Sequence, residues 1–131
     1  MKETILLFQI TDKQTRLKVE MALFPLRVRI RYIEQEELNQ PLGALAKIKE
    51  IPPKDGLYSG EPLPDSMIVF CGFDDKKLNQ ALLSLRKCGA GPFPYKAILT
   101  PTNQHWTPTE CFLELKREHE YMRAKQEFKK E

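Results

Sequence analysis

The densest run of chemistry-bearing side chains lies between Lys96 and Trp106. A strand delivers Lys96, and Thr100, Thr102, Asn103, Gln104, His105 and Trp106 then crowd into a loop that ends at a helix start. Free backbone N–H groups and the helix dipole favour an anion at such a place. Lys96 could add a point charge, the Thr and Asn side chains could orient a ligand, and Trp106 could stack on a ring. The same residues have a purely structural use. Thr100, Thr102 and Asn103 are turn formers, and Trp106, just before a Thr107 cap, fits one half of a hydrophobic staple. Asn39-Gln40 holds the matching place in the first half of the chain, and in a parallel sheet the two loops would face one cleft. Otherwise Asn39 is a helix cap.

Catalytic constellations are thin. His105 and His119 are the two histidines. His105, with Lys96, could run general acid–base chemistry, although no acid or nucleophile is placed beside it by spacing. His119 falls between Leu115 and Met122 on the apolar stripe of the last helix, a packing position. Cys71 reads as a buried strand thiol and Cys88 as a helix end, so a thiol nucleophile ranks last. There is no HxxxH, CxxC, DxDxDG or Walker spacing, and no cofactor or metal is expected. Gly89 and Gly91 close a helix instead of opening one, the wrong context for a phosphate loop.

Residues 1–33 hold seven Lys/Arg against three Asp/Glu, and Arg27, Arg29 and Arg31 line one face of a strand. Such a stripe could meet a phosphate backbone. Edge strands also carry charge to prevent sheet-to-sheet pairing, and no aromatic platform interleaves these arginines, so nucleic-acid binding ranks third.

The elements that must position these residues come from hydrophobic period and punctuation. Thr4–Ile10 is a nearly continuous apolar run, a buried strand. Thr11 and Gln14 are spaced as a capping box, so a helix starts near Asp12; Leu17, Met21 and Phe24 fall on one face of it and Pro25 stops it. Arg27–Ile33 alternates as a strand with one wet face. Asn39-Gln40-Pro41 opens a short helix over 42–48. The linker 49–65 holds four of the ten prolines and two of the six glycines. The order then repeats: an apolar strand over 66–71, a helix capped by Asp74 with Leu78, Ala81, Leu82 and Leu85 as its stripe, a strand over 95–99, and a last helix launched by Thr107-Pro108-Thr109-Glu110.

At an offset of 61–62, Phe8 meets Phe70, Asp12 meets Asp74 and Leu17 meets Leu78. The chain therefore reads as one domain, 1–131, with a β-α-β-α half over 1–48, the linker 49–65, and a second half over 66–131. Strands 1 and 3 are apolar on both faces and should be central, with strands 2 and 4 at the edges. Strict alternation favours an α/β layered domain with a long C-terminal helix; the alternative with the same central pair is a ferredoxin-like α+β sandwich. Strand polarity separates the two.

Met67-Ile68-Val69-Phe70, Phe73-Asp74, the run Lys96-Ala97-Ile98-Leu99-Thr100-Pro101-Thr102-Asn103 and Trp106-Thr107 resemble an uncharacterised prokaryotic family, domain of unknown function 3783, best over 67–120. Asn39-Gln40-Pro41-Leu42-Gly43 is similar to the partner motif of full-length members, which extends the resemblance over most of the chain. That family implies no activity.

Composition sets the outer limits. The chain has 131 residues, a formal net charge of +3, 41% apolar and 30% charged residues, as a soluble globular domain does. It has no apolar run of about 20 residues, and Met1-Lys2-Glu3 does not open as a signal peptide does. Three cysteines, an odd number, point to the reducing cytoplasm. The expectation is a cytoplasmic, non-catalytic module for a small molecule or protein partner, with its site at Lys96, Thr100, Thr102, Asn103 and Trp106, and Asn39 and Gln40 opposite. A homodimer through the C-terminal helix is a further expectation, its stripe of Phe112, Leu115, His119 and Met122 being short for a coiled coil.

Overall fold

Two segments without a polar face decide the architecture. Thr4–Phe8 (β1) and Met67–Cys71 (β3) are buried at every position, because each must be covered on both sides. The computed structural model describes residues 2–130, with side chains through Gln126. In it β1 and β3 lie at the centre of a four-stranded sheet, flanked by Arg29–Ile33 (β2) and Lys96–Ile98 (β4), in the order β2-β1-β3-β4. Backbone bonds from Ile68 N to Tyr95 O and from Leu99 N to Phe70 O lengthen the β4 ladder to the span expected from the sequence.

Polarity is mixed. Within each half the two strands are parallel, with Leu6 opposite Arg31 and Val69 opposite Ala97; across the centre β1 and β3 run antiparallel, with Leu6 opposite Val69. The sheet is therefore neither wholly parallel nor a ferredoxin-like weave. Each β-α-β unit keeps its strands adjacent, and the two units meet back to back.

Among the described residues four helices cover the two faces. On one side Lys13–Leu23 (α1) and Asp75–Lys87 (α3) pack over Ile5, Leu7, Ile68 and Phe70. On the other, Leu42–Leu45 (α2), Pro108–Lys130 (α4) and linker residue Leu63 pack over Leu6, Phe8, Met67 and Val69. Each central strand exits through a left-handed residue, Gln9 at φ 59° and Gly72 at φ 79°, that redirects the chain into its helix.

Local signals act largely as their chemistry requires. Asp74 caps α3 by accepting from Lys77 N at 2.7 Å. Thr107 and Glu110 make the reciprocal box at the start of α4, with bonds of 3.1 and 3.3 Å. At α1, however, the cap is Asp12, which accepts from Thr15 N and Thr15 Oγ1, both at 2.9 Å, in place of a Thr11–Gln14 box. Pro41, and not Asn39, caps α2.

Helix α1 also corrects its apolar face. Val19 and Leu23 enter the core, while Leu17, Met21 and Phe24 share the opposite, exposed side. Helix α4 spans about 35 Å at the standard rise, yet only its first turns reach the core, through Cys111 and Phe112. Tyr95 joins them there, with its ring 4.7 Å from that of Phe112 and 5.0 Å from that of His119. From Lys116 through Gln126 the helix is exposed, and the side chain of Phe128 lies outside the described residues.

Candidate functional site

The loop after β4 is knitted by its own polar groups. Asn103 is buried, and both ends of its amide are used: Oδ1 accepts from Thr100 N at 2.8 Å, and Nδ2 donates to Ile98 O at 2.9 Å. Thr100 Oγ1 accepts in return from Asn103 N at 3.1 Å. Thr102, exposed, leads a single 3-10 turn, Asn103–His105. Trp106 is half-buried against the cluster that holds Cys111 and Phe112, where a staple residue belongs.

Asn39 and Gln40 do similar work on the linker. Gln40 grips residue 54 from both sides, with Nε2 donating to Lys54 O at 2.8 Å and Oε1 accepting from Lys54 N at 2.7 Å. Asn39 Nδ2 donates to Gly56 O at 3.3 Å. Gln40→Ala should therefore loosen the linker while sparing the sheet, and limited proteolysis should cut faster between Pro53 and Leu57 with little change in melting temperature.

The two loops meet although β1 and β3 are antiparallel. Strands β2 and β4 end at opposite edges of the sheet, but residues 34–41 and 99–106 both turn onto the same face. There Leu42 N donates to Trp106 O at 2.8 Å. Gly43 permits the contact, since a Cβ on it would stand 3.0 Å from Gln104 O and 2.4 Å from Ile51 Cδ1. What the pairing makes is a packed joint between the two halves.

Lys96 does not belong to this joint. Strand alternation sends Ala97 and Leu99 toward α4 and sends Lys96 to the α3 face, opposite Ile68. There it lines a pocket of about 460 Å³ with Leu82, Leu85, Arg86, Phe93 and Pro94. Its ammonium donates to Phe93 O. Partial burial, together with the neighbouring Arg86 charge, holds it below the ordinary lysine range. No Asp or Glu lines this pocket among the described residues.

Residues 66–122, about half of the chain, match the model of the family described as Domain of unknown function (DUF3783). Residues 66–122 are thus a DUF3783 domain. No curated protein and no solved structure matches the chain. The DUF3783 segment supplies β3, α3, β4 and the start of α4, so it contains both the Lys96 pocket and the Thr100–Trp106 half of the joint.

The remaining candidates are dispersed. His105, exposed in the 3-10 turn on the α2 side, is across the sheet from Lys96, so the DUF3783 segment does not assemble these two as an acid–base pair. Burial pushes the Cys71 thiol up to about 12 and, with Glu118, the Cys111 thiol up to about 11. Both therefore stay protonated and inert at neutral pH. Cys88 Sγ donates to Leu85 O at 3.1 Å. Among the described residues no group of His, Cys, Asp and Glu could hold a metal ion, and no helix is long and apolar enough to cross a membrane.

The arginine stripe is also divided. Arg27 sits in the turn before β2 with φ 54°. Arg31 is spent on Leu45 O and Glu37, each at 2.7 Å. Arg29 remains exposed and lines a groove of about 270 Å³ with Lys2, Lys47 and Lys49.

Arg86 and Phe93 line the same pocket as Lys96, and motif spacing does not single them out. The available signal was the two-residue period of β4, which separates Lys96 from the loop that follows it.

Proposed function

We propose that the chain is a non-catalytic binding module whose small-molecule site is the α3–β4 pocket, and that it takes an organic anion with an apolar body. The observation that carries this reading is a pair of cations, Arg86 and Lys96, at an apolar pocket lined by no carboxylate. Leu82, Leu85, Phe93 and Pro94 offer walls for a ring or short chain, and the cations offer charge-assisted hydrogen bonds to a carboxylate or phosphate. The volume of about 460 Å³ suits a small molecule, since such sites run from roughly 300 to 1,000 Å³. A bound anion would also offset both causes that depress Lys96: it supplies the missing opposite charge and screens Arg86.

The reading is non-catalytic because the pocket residues pair no nucleophile with a base. We place the module in the cytoplasm, where the three free thiols stay reduced.

The test uses benzoate and phenyl phosphate as probes, with benzylamine as the charge-reversed control. Either anion should raise the melting temperature with concentration, as a ligand of the native state does. Arg86→Ala and Lys96→Ala should each weaken binding about tenfold, the scale for one charge-assisted contact in a partly desolvated site. Lys96→Arg should retain most of it. Benzylamine acting as well as benzoate, or both alanine variants binding as the parent does, would overturn the reading.

A further inference from the structure

Helix α1 turns its larger apolar residues outward. Leu17, Met21 and Phe24 recur at i, i+4 and i+7 and are 56%, 68% and 82% exposed. At its end the stripe runs into a groove of about 640 Å³ lined by Leu23, Phe24, Pro25, Val28 and Ile30. Single exposed apolar side chains are ordinary, but a contiguous patch marks a surface that something covers.

The rim decides what that something is. Lys13 and Lys18 flank the stripe near its start, and Lys2 and Arg27 line the groove at its end; all four are exposed. Two exposed carboxylates, Glu20, which also lines the groove, and Asp12, keep their charge, so the four cations outnumber them on this rim. Glu20 accepts from the Tyr32 hydroxyl at 2.9 Å, and Asp12 caps α1 through Thr15. Arg16 is also occupied, 4.1 Å from the Tyr32 ring centroid and donating to Ile10 O, so it ties α1 to the sheet.

We infer that this face docks an acidic amphipathic helix of a partner protein. Its apolar residues cover Leu17, Met21 and Phe24, one of them filling the groove, and its carboxylates meet Lys13, Lys18 and Arg27. A second copy is a poorer complement. α1 against α1 opposes one net-positive rim to another, and α4 through Gln126 carries Glu110, Glu114, Glu118 and Glu120 against Lys116, Arg117, Arg123 and Lys125, with no net charge to offer. A flat anionic bilayer would use the cations and leave the groove unfilled.

The probe is a fluorescein-labelled peptide of about 18 residues, long enough to hold a helix on a surface, with leucines along one face and glutamates along the other. Anisotropy should rise saturably with the full chain and fall off with added salt. Met21→Ser and Phe24→Ser should each weaken binding about tenfold, the scale for an interface anchor, while the melting temperature holds because both sites are exposed. A matched peptide with lysines in place of glutamates should not bind. Equal binding by the Ser variants or by the lysine peptide overturns the proposal. So does a dimer of the chain that the two substitutions dissolve, or adsorption to phosphatidylserine vesicles without peptide binding. Arg86→Ala should leave peptide binding unchanged, so failure here and failure of the pocket reading are separate results.

Discussion

Replacing Asn103 by alanine should destabilise the fold by about 2–4 kcal/mol, the largest effect expected of any polar substitution in the loop. Its carboxamide is buried and satisfies the Thr100 N–H and the Ile98 carbonyl at 2.8 and 2.9 Å. Truncation leaves both groups without a partner, at about 1–3 kcal/mol each, and the exposed neighbours let water recover part of the loss. Urea denaturation should show the midpoint falling with an unchanged slope.

Asn103→Asp separates the two bonds. Its carboxylate can still accept from Thr100 N, but its second oxygen must face the Ile98 carbonyl, where only the protonated acid can donate. Burial and that carbonyl raise the folded-state pKa of the new carboxyl. The folded chain then binds more protons than the unfolded one, so the variant is most stable in acid and loses stability as pH rises through the raised value. Asn103→Ala should lack this dependence. An aspartate variant as stable as the parent at neutral pH would show that the amide donor contributes nothing.

The second large effect is expected at Gly43. An added Cβ would meet Ile51 Cδ1 at 2.4 Å and the Gln104 carbonyl oxygen at 3.0 Å. The isoleucine tip can rotate aside, but the Gln104 backbone is held by its bond to Thr100 O and by the Asn103 network around it. Gly43→Ala should cost about 1–3 kcal/mol, as overpacking a close contact does. Ile51→Val, which removes Cδ1, should recover only part of that loss. Because α2 and the Asn103–His105 turn must separate, Trp106 emission should also shift to the red. Full rescue by Ile51→Val would mean that the two loops are not in tight backbone contact.

Much of this arrangement was legible in the residues, and the exceptions have physical causes. Thr4–Phe8 and Met67–Cys71 read as central strands because a segment with no polar face has nowhere else to go. Their relative direction was not legible, since a strand buried on both faces presents the same pattern whichever way it runs. In α1 the spacing of Leu17, Met21 and Phe24 marks a face correctly and says nothing about which side meets the sheet; the smaller Val19–Leu23 pair makes that contact.

The site shows the same division. Thr100, Asn103 and Trp106 read equally as ligand groups or as turn and staple, and Asn39 and Gln40 as ligand groups or cap. Asn39 and Gln40 bond to the linker at Gly56 and Lys54, 17 and 14 residues away, which no local window connects. The Asn103 bonds to Thr100 N and Ile98 O are local, but residue type alone does not say that both ends of the amide are taken by backbone. The grouping of Lys96 with Arg86 and Phe93 depends on the α3–β4 connection folding back over the sheet, a tertiary event invisible to motif spacing.

The Thr100–Trp106 loop joins the two halves, and the proposed ligand pocket lies across the sheet from it. One titration tests this placement: benzoate added to ¹⁵N-labelled chain, with amide shifts and Trp106 fluorescence recorded on the same samples. Gly89 and Gly91, which line the pocket, should shift saturably while Trp106 emission stays constant. Quenching of Trp106 with Gly89 and Gly91 unmoved would contradict this placement and put the site at the loop instead.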